Sequence, residues 1–102
     1  MTSGGVNVYP TEVENVLREV DGVTDVAVFA VDDDSWGQRV CAAFVGPADT
    51  NTLTSYARER LAPPKRPKEY HRVAELPRTA TGKLRRLDVP AVVRPRPTSP
   101  RG

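Results

Sequence analysis

One lysine stands out in this chain for its setting, the run Pro77-Arg78-Thr79-Ala80-Thr81-Gly82-Lys83-Leu84. Thr79, Thr81 and Gly82 favour a tight turn and Pro77 stiffens the approach, which leaves Lys83 as a flexible cation at the tip. An ammonium on so long a stem can bridge two anions brought together. Gly82-Lys83 is also how a phosphate-cradling P-loop ends. That motif needs a glycine five residues before Gly82 and a Ser or Thr after the lysine. Pro77 and Leu84 occupy those places, so the P-loop reading fails.

Other residues could assist such a cation. Gly4-Gly5 offers backbone without a Cβ, suited either to a tight turn feeding a strand or to close approach of a ligand. Lys65-Arg66-Pro67-Lys68 is a basic cluster, and Trp36-Gly37 follows an acidic run. Arg85 and Arg86 add positive charge beside Lys83, as a solvated helix end also would. His71, the single histidine, has no visible acid or nucleophile partner and reads as structural. Cys41 is the single cysteine, which excludes an intramolecular disulfide and a cysteine metal cluster. No metal site is expected.

Charge is divided unevenly. Residues 1–57 carry a balance of −7 and residues 58–102 a balance of +9, giving the net +2. The second half should therefore attract phosphate groups, whether of nucleotides, anionic cofactors or nucleic acid.

The elements that must hold these residues can be read from periodicity. Pro10 suits a first helical turn, Glu12 and Glu14 favour its positive end, and Val13, Val16, Leu17 and Val20 form one apolar stripe. A helix is expected over about 10–19, ended by Asp21-Gly22. Val23 to Val31 and Arg39 to Val45 are apolar on both faces and read as adjacent, largely buried strands joined by the acidic turn. Leu53, Tyr56, Ala57 and Leu61 fit a second helix, started near Asn51-Thr52 and stopped by Pro63-Pro64. Tyr70 to Leu76 gives a third strand, and Leu84 to Leu87 a last helical turn closed by Pro90. The expectation is an α+β domain: a small three-stranded mixed sheet with two helices packed on it, a short hairpin, and the lysine-bearing loop near the C-terminus. Residues 1–93 would form this domain and residues 94–102, rich in Pro and Arg, a disordered tail. At 102 residues one core is all the chain can build. Its longest apolar run, Val26 to Val31, is far too short to cross a bilayer. Cysteine usage suggests a reducing cytoplasm.

Three segments in order, Gly4-Gly5-Val6-Asn7-Val8-Tyr9-Pro10-Thr11-Glu12-Val13-Glu14, then Asp33-Asp34-Ser35-Trp36-Gly37-Gln38, then the Lys83 run, resemble the C-terminal domain of the adenylate-forming enzymes. The resemblance covers about residues 3 to 88 and is most like acyl-CoA synthetases and fatty-acid–CoA ligases. It implies that Lys83 is the lysine that assists attack of a carboxylate on the α-phosphate of ATP, with Thr81 and Gly82 shaping its loop. Gly4, Gly5, Trp36, Arg66 and Lys68 would contribute to coenzyme A binding in the second half-reaction, after the domain has swung about a hinge just before Met1. ATP and Mg2+ would be held mainly by a large N-terminal adenylation domain. A carboxylic or fatty acid would be the other substrate, and a lysine acetyltransferase acting on Lys83 would be a regulatory partner. The chain alone should be almost inactive.

Two other functions fit the composition. A basic module built on residues 58–101 could bind RNA or DNA through its positive charge. Aromatics are scarce there and no RNP, KH or helix-turn-helix signature appears, which makes nucleic acid an unfavoured partner. A non-catalytic lid that docks on another protein would carry the same motifs.

Overall fold

The computed structural model describes residues 1–34 and 37–93. Within them the order is β1 (Thr2–Ser3), β2 (Val6–Asn7), α1 (Pro10–Arg18), β3 (Asp25–Asp33), β4 (Gly37–Val45), α2 (Thr50–Arg60), β5 (Glu69–Arg72) and α3 (Val89–Val93). Short 3₁₀ turns at Pro63–Lys65 and Arg86–Asp88 complete it. No helix among the described residues is long and apolar enough to cross a membrane.

The class is α+β, but the expected three strands and two helices are corrected to a five-stranded sheet and three α-helices. The additional strands, β1 and β2, have two residues each, too few to show any hydrophobic period. Gly4-Gly5 makes them: both glycines adopt positive φ, 57° and 83°, the backbone that a two-residue antiparallel hairpin requires. The third helix is α3, in which Pro90 lies in the first turn instead of closing the previous one. There its missing N–H leaves nothing unsatisfied.

Strands β3 and β4 form the long antiparallel hairpin, in register from Asp25↔Val45 to Asp33↔Gly37. The strands run further into the acidic turn than the apolar run alone indicates. β1 and β5 then share the other edge of β4, β1 antiparallel at Ser3↔Gly37 and β5 parallel from Cys41↔Glu69 to Phe44↔Arg72. Parallel pairing of β4 with β5 requires a crossover, and α2 supplies it. Asp49 starts α2 by accepting a hydrogen bond from the Asn51 N–H at 3.0 Å. The third strand stops at Arg72, short of the expected Leu76, whose side chain is buried on the second face.

Both faces of the β3–β4 hairpin are covered, which explains their lack of alternation. On one face α1 and α2 bring Val13, Leu17, Leu53 and Ala57 against Val26, Val28, Val40 and Phe44. On the other, the segment after β5 places Leu76 and Val89 over Ala27, Phe29, Cys41 and Ala43, with Leu84 packed partly buried beside them. The lysine loop therefore grows from a layer opposite the two long helices.

Gly46 joins β4 to α2 at φ 119°, and a Cβ built there would stand 2.1 Å from the Gly22 carbonyl oxygen. Gly46→Ala is expected to destabilise the domain by about 3 kcal/mol in urea titrations. Gly82→Ala, at φ 91° but with nothing within 4 Å of the added Cβ, should cost only about 1 kcal/mol. Equal losses at the two positions would refute the close approach of Gly46 to Gly22.

Candidate functional site

The lysine loop is a small hairpin closed at several levels. The Arg85 N–H donates to the Pro77 carbonyl at 2.9 Å, and Arg78 and Leu84 form a β-bridge. Inside it, the Thr79 N–H donates to the Lys83 carbonyl at 2.8 Å and the Gly82 N–H to the Thr79 carbonyl at 2.9 Å. Thr79 Oγ1 accepts from the Lys83 N–H at 3.1 Å and lies 3.0 Å from Thr81 Oγ1. Thr79 thus fixes the backbone, with its hydroxyl against that of Thr81. Gly82 takes φ 91°, a conformation open to few other residues. Lys83 itself is exposed, and its ammonium makes no ion pair or hydrogen bond among the described residues.

Neighbouring cations are not free in this way. Arg78 donates to the Gly82 carbonyl at 3.0 Å and, through its other terminal nitrogen, pairs with Asp25 at the start of β3. Arg85 pairs with Asp88 at 2.8 Å. Arg86 grips both carboxylate oxygens of Glu14 at 3.0 and 2.8 Å and donates to the Val28 carbonyl at 3.1 Å. Glu14 is buried, and its Oε2 also accepts from the Val28 N–H at 2.8 Å. Neither Glu14 nor Arg86 is the solvated helix-end charge that its local sequence suggests. Further pairs join Glu12 to Lys65 at 3.1 Å and Glu19 to Arg60 at 3.3 Å. The acidic first half and basic second half are therefore matched to each other inside the fold, and the charge imbalance is in large part an internal one.

The structure separates the sequence-identified residues into two groups. Gly4 and Gly5 cap the hairpin whose β1 pairs with Gly37, at the end of the sheet where β3 turns into β4. Lys68 lies along the same edge of β4, its N–H donating to the Val40 carbonyl at 2.7 Å, with an exposed side chain. Trp36 lies outside the described residues, as do residues 94–102. Arg66 is turned inward on the chain: it donates to the Leu61 and Arg58 carbonyls at 2.9 and 3.0 Å, capping the end of α2. The Lys83 hairpin sits at the other end, beside Asp25. Asp25 and Asp33 bound β3, and eight strand steps at ~3.3 Å separate them by ~26 Å.

A third cluster was invisible in the sequence. His71 Nε2 lies 3.0 Å from Glu69 Oε1, and that oxygen is 3.7 Å from Cys41 Sγ. Arg39 pairs with Glu69 at 2.9 Å and with Asp33 at 3.1 Å. His71 therefore has an acid partner two residues back on its own strand, and register across β4 and β5 adds Cys41 to the pair. The hydrogen bond from His71, then the Arg39 charge, holds the Glu69 carboxyl below its usual range. Burial, with Glu69 adjacent, pushes the Cys41 thiol up to about 11. A protonated, buried thiol is no nucleophile at neutral pH. The cluster ties β5 to the β3–β4 hairpin.

A layered α+β domain with a self-closed hairpin presenting one unpaired lysine is the form this sequence builds. Residues 12–83 match the AMP-binding enzyme C-terminal domain, and the chain belongs to that family. It is 45% identical over 86 residues to the 2-succinylbenzoate–CoA ligase of Bacillus licheniformis, covering 82% of this chain and 18% of that protein. With the long-chain-fatty-acid–CoA ligase of Bacillus subtilis it shares 44% over 88 residues, 82% of this chain and 16% of the relative. Among solved structures, the o-succinylbenzoate CoA synthetase of Bacillus subtilis bound to a product analogue superposes with TM-score 0.84 at 41% identity. That match covers 87% of this chain and 19% of the other. A Mycobacterium tuberculosis fatty acyl CoA synthetase gives 0.79 at 38%, over 82% and 17%. The chain spans less than a fifth of the length of these relatives.

The raised thiol gives a pH test. An acid whose folded pKa exceeds its ordinary value contributes stability that is present below that value and lost as pH rises. Stability should fall as pH climbs from the ordinary 9.0 toward about 11, and Cys41→Ser should flatten the decline. At pH 8, iodoacetamide should alkylate native Cys41 roughly 10²-fold more slowly than the urea-unfolded chain. Equal rates, read by mass spectrometry, would contradict the burial.

Proposed function

We propose that this chain is the catalytic lid of an ATP-dependent, AMP-forming acid–CoA ligase, with Lys83 as its adenylation lysine. The observation that carries the reading is the exposed ammonium of Lys83, unpaired among the described residues while Arg78, Arg85 and Arg86 around it are engaged. In acyl-adenylate formation a carboxylate must approach a phosphate, and negative charge gathers on the attacking and bridging oxygens. A cation on a long stem can reach both once a larger domain has covered the hairpin and excluded water. ATP and Mg2+ are then held mainly by that large domain, together with the acid, of carboxylic or fatty-acid type. An exposed lysine also suits an acetyltransferase, and acetylation would abolish the charge on which the step depends.

Thioester formation belongs to the opposite end of the sheet, where Gly4-Gly5, Gly37 and Lys68 lie. A pantetheine arm could pass over the glycine turn, since nothing stands within 4 Å of a Cβ built on Gly5. The ~26 Å along β3 between the two ends exceeds what one lysine side chain can span. One active centre can use both ends only if the whole domain turns, which supports alternation between two docked orientations. Arg66 serves α2 first, and Lys68, with an exposed side chain, is the second candidate for a phosphate contact in the basic cluster.

The test joins the full 102-residue chain to the large domain of the Bacillus licheniformis relative in place of that protein's own C-terminal segment. Lys83→Ala should lower ATP–pyrophosphate exchange about 10²–10³-fold while thioester formation from preformed acyl-adenylate stays within a few-fold. An unchanged exchange rate would refute the role of Lys83. Gly5→Asn, which tolerates positive φ, should leave stability within about 1 kcal/mol but raise the KM for coenzyme A about tenfold. An unaltered KM would reduce Gly4-Gly5 to a turn and nothing more.

A further inference from the structure

We infer that Arg78 and Arg86 are positioning residues for Lys83, holding its hairpin at a fixed angle to the sheet; the inference rests on the adenylation role proposed above. The hairpin's own hydrogen bonds settle its internal shape but not its direction. Direction comes from its two roots. On the leading side, Arg78 spans from the Gly82 carbonyl, adjacent to Lys83, to the Asp25 carboxylate on β3. One guanidinium thus ties the backbone at the tip directly to the sheet. On the trailing side, Arg86 is three residues beyond Lys83 and enters a slot formed by Glu14 of α1 and the Val28 backbone of β3. Leu84, between them, packs on the second face of the sheet. The hairpin is thereby anchored at both roots to the first half of β3, at Asp25 and at Val28.

Both roots use a chemistry that only arginine offers. Arg86 reaches both oxygens of the Glu14 carboxylate from Nη2 and the Val28 carbonyl from Nε, two nitrogens fixed in one planar group. Arg78 divides its two terminal nitrogens between a carbonyl and a carboxylate. A lysine would keep the charge and lose the geometry. Displacement of a reacting group by about 1 Å can cost on the order of 10²-fold in rate. Both tethers should therefore matter to the half-reaction that uses Lys83 and not to the one that does not.

The experiment uses the same joined protein and a double-mutant cycle. Arg86→Lys and, separately, Arg78→Lys should each lower ATP–pyrophosphate exchange about 10- to 100-fold in kcat, with KM for ATP and acid near the parent value. Thioester formation from preformed acyl-adenylate should be within about twofold of parent. On a Lys83→Ala background neither substitution should cost anything further, because both act through that lysine. In the 102-residue chain itself, ¹⁵N order parameters at Gly82 and Lys83 should drop from about 0.85 toward 0.6 in either variant. Arg78 lies at a partly exposed ion pair, so its variant keeps the test available should Arg86→Lys unfold. Losses of equal size in both half-reactions, or undiminished on the Lys83→Ala background, would make the arginines merely structural and overturn the inference. So would unchanged exchange in Arg78→Lys and Arg86→Lys while Lys83→Ala remains defective. Should Lys83→Ala itself have no effect, the adenylation role fails first and takes the positioning role with it, a distinguishable result.

Discussion

The bonds between Glu14 and Arg86 solve a problem that the topology creates. β3 lies at the edge of the sheet, so every second residue turns an unpaired N–H and C=O away from β4. At Val28, where the edge is covered by α1 on one side and the C-terminal layer on the other, water is not at hand to satisfy them. Glu14 accepts from that N–H and Arg86 donates to that C=O, while the two side chains neutralise each other. The arrangement closes the edge against another strand and satisfies a buried carboxylate on every side. It also ties together by polar contacts the first helix, the edge strand and the segment that follows the lysine hairpin, whose apolar residues pack on opposite faces of β3. Removing either partner would leave the other's charge in a partly dry slot, costing about 3 kcal/mol.

The same logic runs through the other long-range pairs. Glu12–Lys65, Glu19–Arg60 and Asp25–Arg78 each take their acid from the first half of the chain and their base from the second. Exposed pairs of this type contribute little stability individually, on the order of half a kcal/mol. Their collective effect is of another sort: Arg60, Lys65, Arg78, Arg85 and Arg86 of the basic half are each paired with an acid, which leaves positive potential where no acid was provided. Lys83 is such a place. A nucleic-acid surface needs many free cations in a row, whereas a reaction centre needs one, correctly aimed.

What the sequence made legible follows the range of the interaction concerned. α1 and α2 declare themselves by local period and local stop signals, and β3 and β4 by their β-branched apolar runs. The Lys83 turn is legible because Thr79, Thr81 and Gly82 make their bonds within five residues. Two-residue strands carry no pattern, so β1 and β2 could be inferred only by recognising Gly4-Gly5 as a positive-φ pair. Arg86 and Glu14 are 72 residues apart, and Glu14 sits among helix-start acids that ordinarily face water. Its burial is decided by the edge of β3, which no linear reading contains. His71 and Glu69 lie two apart on one strand face, a spacing visible in principle, but Cys41 joins them only through the parallel register of β5 on β4.

A loop that must deliver a charge and later withdraw it can be built in two ways. It can be soft, with the charge retreating by local rearrangement, or stiff, with the charge retreating because its whole support moves. The Lys83 hairpin belongs to the second kind: its backbone bonds to itself, and its roots are bound to β3 by two arginines. Refolding it in place would break several hydrogen bonds and two ion pairs at once, a cost of several kcal/mol at each turnover. Rotating the domain as a body breaks none of them. In the proposed reaction, stiffness at the hairpin and motion at the level of the domain are therefore one design: the firmer the lysine is held to the sheet, the more completely its arrival and departure are governed by how the sheet is docked.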